Sequence, residues 1–266
     1  MRKMMTERKH PDGRPYALTI AHRGASAYRY ENTLSAIDLA IEMGMDMVEI
    51  DIHATSDGRL IVFHDYRLGN RAVEDYSYEE IRRIRLPDGS SIPLLEEVIE
   101  RVHRRCSLYI EIKSPSSATS VARTIRRYGL TADDVLIGSF HHETVKEAKT
   151  QLPEIPAAVL FRCSPVDPIG LAQDARADFV HFCWENMAPH PSRLITPDLV
   201  ELIRNEGLGI ILWHEEREDE LSFLQQRCFD GICSDDPLLL KKYFCPIKES
   251  EQPVEVRWNG HRRVES

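Results

Sequence analysis

Between Leu18 and Asp235, nine short apolar runs alternate with amphipathic stretches, and no other feature restricts the fold of this chain as tightly. The runs read LTIAH, DMVEIDIH, RLIVFH, SLYIEIK, DVLIGSF, AAVLF, FVHFCW, GIILW and GICSD. Strands of this kind, separated by helical patterns, belong to a parallel sheet whose two faces are both covered. The predicted class is therefore α/β. Helix ends are legible as well: NTLSAIDLAIEMG opens on Asn32 as the expected N-cap and stops at Gly44, while TPDLVELIRNEG opens on Thr196 and Pro197 and stops at Gly207.

Some eight strand-and-helix units in about 230 residues fit a TIM (β/α)8 barrel. An open doubly wound sheet is the alternative, although no Gly-x-Gly-x-x-Gly follows the first strand. Nine runs are one more than a barrel needs. Only twelve residues, IHATSDGRLIVF, separate Asp51 from His64. The connection between the second and third strands is thus shortened, and a tight extended return or a hairpin through Asp57-Gly58 must replace a helix. The reading is an N-terminal arm at 1–17, a single barrel domain at 18–245 and a C-terminal tail at 246–266.

Side chains alternate along a strand, so parity separates the barrel interior from the surface that faces the helices. In DMVEIDIH, Glu49 and Asp51 share one face and Val48, Ile50 and Ile52 the other. In SLYIEIK, Tyr109, Glu111 and Lys113 oppose Leu108, Ile110 and Ile112. His22 keeps the parity of Leu18 and Ile20, Arg23 opens the following loop, and His64 closes the LIVFH run. Three carboxylates confined together repel one another unless protons, basic groups or a metal compensate. A hard divalent cation with oxygen ligands is the simplest compensation, and Mg or Ca suits such donors better than zinc. The plainer alternative is a solvated rim in which Glu111 pairs only with Lys113. On the first reading the adjacent His22 and Arg23 face a bound phosphate whose cation is held by Glu49, Asp51 and Glu111.

Composition excludes several other classes. Lys and Arg number 34 against 43 Asp and Glu, a formal charge of −9, which disfavours nucleic-acid binding. No apolar run reaches the length of a bilayer, so a cytoplasmic protein without stable membrane insertion is expected. The six cysteines form no Cys-x-x-Cys pair and read as reduced thiols.

The segments AHRGASAYRYENT, VEIDIHATSDGRLIVFHD, YIEIK and FDGICSDDP closely resemble the glycerophosphodiester phosphodiesterase family, whose hallmark is His-Arg, then Glu-x-Asp, then His. IPLLEEVIE and IGSF are similar too, and the likeness runs from about Leu18 to Leu240. The resemblance implies a TIM barrel that hydrolyses glycerophosphodiesters, a small-molecule substrate class, to glycerol 3-phosphate and an alcohol with one divalent cation at its mouth. Carried residue by residue, it makes His22 and His64 the acid and base, Arg23 and Lys113 the phosphate-binding cations, and Glu49, Asp51 and Glu111 the metal ligands. Trp213 would contact the glycerol side. His214 stands where the family usually has threonine after that tryptophan, Ser234 replaces a more common threonine, and YRLGNRAVEDYS lacks the usual Thr-Thr-Gly-rich loop. The same site admits lysophospholipase D or a related phospholipid phosphodiesterase as a second reading. A non-catalytic barrel that binds a phosphate ligand is a third.

Overall fold

The computed structural model describes residues 17–245; the expected tail, and the expected arm apart from Ala17, lie outside the described residues. The strands in chain order are β1 (Leu18–Ala21), β2 (Met47–Ala54), β3 (Leu60–Val62), β4 (Arg67–Leu68), β5 (Arg71–Ala72) and β6 (Ser107–Ile112). They continue as β7 (Val135–Ser139), β8 (Ala157–Phe161), β9 (Phe179–Phe182), β10 (Gly209–His214) and β11 (Gly231–Ser234). The helices are α1 (Leu34–Glu42), α2 (Tyr78–Ile81), α3 (Leu95–Val102), α4 (Ala118–Tyr128), α5 (His142–Gln151), α6 (Pro168–Asp174), α7 (Pro197–Asn205), α8 (Glu218–Leu224) and α9 (Pro237–Phe244).

Eight parallel strands, β1, β2, β6, β7, β8, β9, β10 and β11, pair in that order, and β11 returns to β1 to close a TIM barrel. Closure leaves no sheet edge within the ring, and the open-sheet alternative falls. The ninth run is β3, which folds back antiparallel on the end of β2 and stays outside the ring, with Ile52 opposite Val62 and Ala54 opposite Leu60. The short connection is thus a hairpin. Beyond it the chain makes an excursion with a small core of its own, in which Ile61, Val73, Ile81 and Ile92 pack together before α3 begins.

Parity sorts the side chains as the sequence predicts. Leu18, Ile20, Met47, Tyr109, Leu136, Phe179 and Ile211 fill the barrel. Val48, Ile50, Ile52, Leu108, Ile110 and Ile112 point outward and belong to the core shared with the helices. Burying each such side chain contributes roughly 1.5–3 kcal/mol, which is why a shift of register by one residue is not tolerated. Thr196 caps α7 as expected, accepting from Leu199 N at 3.2 Å. The cap of α1 is Thr33, which accepts from Ala36 N, and not Asn32; Asn32 sits at φ +58° with its amide turned toward the barrel. Cys106, Cys163, Cys183, Cys228 and Cys233 are free thiols, and no described helix is long and apolar enough to cross a membrane.

Tyr109 lies inside the barrel because the adjacent strand β7 offers Gly138: a Cβ there would lie 2.6 Å from the phenol oxygen. Gly138→Ala is therefore expected to displace Tyr109 and cost about 1–3 kcal/mol of stability, measured by urea unfolding. An unchanged midpoint would show that the ring moves without strain.

Candidate active site

Every group of the site comes from the end of the barrel where the parallel strands finish, the end where loops can converge on one opening. Glu49 and Asp51 stand two residues apart on β2, and Glu111 on β6 is the register partner of Asp51. The ligand oxygens of Glu49, Asp51 and Glu111 all lie within 4.8 Å of one another, and all three residues are buried. Lys113, the residue after β6, places Nζ 2.6 Å from Glu111 and 3.1 Å from Asp51. Arg23, in the loop after β1, sits at φ +56°. Its backbone N–H donates to Glu49 Oε2 at 2.9 Å, and its Nε lies 3.3 Å from Asp51 Oδ2. The turn depends on Gly24 at φ +84°, where a Cβ would meet the backbone of Ala36 at 2.7 Å.

The electrostatics follow from burial and neighbours. Burial works against the charge on Asp51, but Lys113 and Arg23 outweigh it and hold the carboxyl well below the usual range. Burial also works against the two cations, and Asp51, with Glu31 for Arg23 and Glu111 for Lys113, holds both above their ordinary values. Glu49 is pushed up, by burial first and then by Asp51 and Glu111. Glu111 is also raised, burial outweighing Lys113. Glu49 Oε1 is buried without a hydrogen-bond partner. An unmatched buried carboxylate oxygen beside two others, with no soft donor among the three residues, fits a hard divalent cation.

The two histidines reach the site by different routes. His22 closes β1, and its Nδ1 donates to Asp235 Oδ1 at 2.6 Å. His214 stacks on its ring face, with centroids 4.6 Å apart and planes 8° from parallel. Burial, aided by Arg23 and His214 and opposed by Asp235, lowers His22 to about 4. His64 arrives through the hairpin: the antiparallel return bonds Phe63 N to Asp51 O, so the next residue lies beside Asp51. Its Nδ1 donates to Asp65 at 2.8 Å, and burial lowers its pKa against the pull of Asp51.

His22, Arg23, Glu49, His64, Glu111, Lys113 and Trp213 line one cavity of about 440 Å³, while Asp51 lies behind it, bonded to Lys113 and Arg23. Trp213 offers only its ring, since its indole N–H is already given to buried Glu215 at 3.0 Å. Sequence reasoning missed Asn32, whose amide donates to Asp51 Oδ2 at 2.8 Å and accepts from Asp51 N. It also assigned no role to Asp235. In SDDP the second aspartate, Asp236, caps α9 through Leu238 N and Leu239 N, while the first orients His22. A bulge in β10 between Leu212 and His214 breaks the parity that otherwise sorts strand residues. A second group, His190, Asp219 and Glu220, is an ion-paired tie between the loop after β9 and α8.

The family model of the glycerophosphoryl diester phosphodiesterase family matches residues 22–239. A glycerophosphodiester phosphodiesterase of Caldanaerobacter subterraneus subsp. tengcongensis is 32% identical over 238 residues, 83% of this chain and 94% of the relative. Among solved structures, a glycerophosphodiester phosphodiesterase from Agrobacterium tumefaciens has a TM-score of 0.72 at 24% identity, covering 85% of this chain and 99% of that one. An Oleispira antarctica phosphodiesterase, solved with the product sn-glycerol-3-phosphate, has a TM-score of 0.75 at 21% identity, covering 86% and 96%. At these identities the two structures speak for the fold.

The tie from His22 to Asp235 generates a test. Asparagine at 235 can donate to Nδ1 and so force the proton onto Nε2, the nitrogen left free for chemistry. Asp235→Asn is expected to lower kcat by roughly a hundredfold or more with a smaller change in KM. A wild-type kcat would show that this hydrogen bond is not used.

Proposed function

Because this chain belongs to the glycerophosphoryl diester phosphodiesterase family, and so hydrolyses glycerophosphodiesters, we propose that the cavity at its barrel mouth does this work by metal-dependent acid-base catalysis. Substrates such as glycerophosphocholine and glycerophosphoethanolamine would yield glycerol 3-phosphate and an alcohol. One observation carries the reading: three buried acidic oxygens gather beside buried Lys113 and partly buried Arg23, at a cavity that two histidines line.

A phosphodiester resists attack because its charge repels nucleophiles and its alkoxide is a poor leaving group. Arg23 and Lys113 meet the first obstacle by placing positive charge where negative charge grows in the transition state. Glu49, Asp51 and Glu111 would hold the divalent cation, Mg or Ca, which when bound supplies further charge neutralisation to a phosphate oxygen. We assign His22 as the general base: its Nδ1–H is committed to Asp235, its Nε2 therefore carries the lone pair, and its low pKa keeps it neutral near pH 7. His64 is assigned as the general acid: Asp65 accepts from its Nδ1 at 2.8 Å, and Asp65 and Asp51 oppose the burial that lowers its pKa. The nucleophile that His22 serves is water or the neighbouring glycerol hydroxyl.

Sequential removal of each part tests the reading. His22→Ala and His64→Ala should each lower kcat on the order of a hundredfold or more. Near-normal hydrolysis by both variants would exclude them as acid and base. After chelation, activity on glycerophosphocholine should vanish and return with one of a series of divalent ions, and that ion should raise the melting temperature. Glu49→Gln should abolish most of the thermal shift; an equal shift in the variant would place the ion elsewhere. A lysophospholipid assayed in parallel separates this reading from a phospholipid phosphodiesterase.

A further inference from the structure

We infer that the outer half of the cavity is a subsite for a zwitterionic leaving alcohol, one bearing both an ammonium and a carboxylate as serine does, held between Glu185 and Arg162. The inference rests on the proposed reaction and extends it to the alcohol.

The cavity runs from the acidic cluster to the loops that follow β7, β8 and β9, where Phe140, Arg162 and Glu185 line its wall. The Arg162 guanidinium lies 4.5 Å over the Phe140 ring. Among the described residues it forms no ion pair, and neither does the Glu185 carboxylate. Glu185 Oε2 is moreover buried with no hydrogen-bond partner, an arrangement that costs free energy until a donor arrives. Its loop is pinned, because Arg217 Nη2 donates to the Glu185 carbonyl at 3.2 Å. β8 and β9 are adjacent strands. Two opposite charges thus stand on neighbouring loops, face one cavity and do not pair with each other.

A ligand that pairs with both must carry both signs. Choline has no N–H to donate to Glu185 and brings a second cation near Arg162. Ethanolamine answers Glu185 alone, and polyol hydroxyls answer both residues without charge. The serine ammonium donates to Glu185 while its carboxylate accepts from Arg162, two charge-assisted contacts of the stronger kind.

The test compares kcat/KM for glycerophosphoserine, glycerophosphoethanolamine and glycerophosphocholine in the wild type, Arg162→Met and Glu185→Gln. Methionine keeps apolar packing on Phe140, glutamine keeps the shape of Glu185, and melting curves check both folds. The wild type should favour the serine ester roughly tenfold over choline, and each variant should lose roughly ten- to hundredfold on serine while choline changes by about twofold or less. Calorimetric binding of the serine and choline esters to chelated protein should show the same order without turnover. Wild-type hydrolysis with no serine preference, or equal losses on every ester, overturns the subsite and leaves the reaction standing. Absence of hydrolysis with every ester and ion overturns the reaction; calorimetry then decides the subsite alone, and equal binding of both esters overturns it too.

Discussion

The site hangs on the Asp51 carboxylate. It is 1% exposed and shares its two oxygens among Lys113, Arg23 and Asn32, three groups brought from three different segments. Remove it and buried Lys113 and partly buried Arg23 lose their common partner, a change of the kind that costs up to about 3–5 kcal/mol. The local count of charge is also informative. Arg23 is shared further with Glu31 at 3.0 Å, so four carboxylates face two cations, and Glu49 and Glu111 are the two acids whose pKa values are raised. On the proposed mechanism a divalent ion would offset that excess beside the phosphodiester. On the proposed mechanism the cluster is thus underfilled so that ion and substrate together complete it.

Much of this was legible because a strand has a period of two. Once DMVEIDIH and SLYIEIK are taken as strands buried on both faces, the apolar residues at alternate positions leave Glu49, Asp51, Glu111 and Lys113 no direction but inward. Loops carry no such period. Asn32 before Thr33 and Leu34 is locally indistinguishable from an N-cap, and only the long-range contact to Asp51 reveals its use. Asp235 is hidden in the same way behind Asp236, whose capping role accounts for the motif by itself. His214 was visible as a departure from the family pattern, but its stacking on His22 depends on a bulge, and an inserted residue leaves no mark in a hydrophobic pattern.

The hairpin that interrupts the regular alternation of strand and helix is what brings His64 into place. A helix between β2 and the next strand would carry the chain to the outside of the barrel. The return through Asp57-Gly58 instead runs back along β2 and delivers His64 beside Asp51 from outside the ring. The excursion that follows buries Ile61, Val73, Ile81 and Ile92 and so fixes the hairpin against the barrel. Departure from the repeat is therefore stabilised by its own small core, and the same departure supplies a group that the ring strands do not offer.

The two histidines end up in unlike surroundings, and the difference bears on how work is divided between them. His22 is fixed at Nδ1 by Asp235, on its face by His214 and along the backbone by the bond from its N–H to Ser234 O. His64 has one side-chain tie, to an aspartate that is itself 44% exposed, and rides on a loop. Activating a nucleophile demands a fixed distance and direction to phosphorus, because small errors of placement are costly in rate. Protonating a departing alkoxide is less demanding, since the leaving oxygen moves outward as the bond breaks. On the proposed mechanism the rigid imidazole therefore suits the base and the looser one the acid.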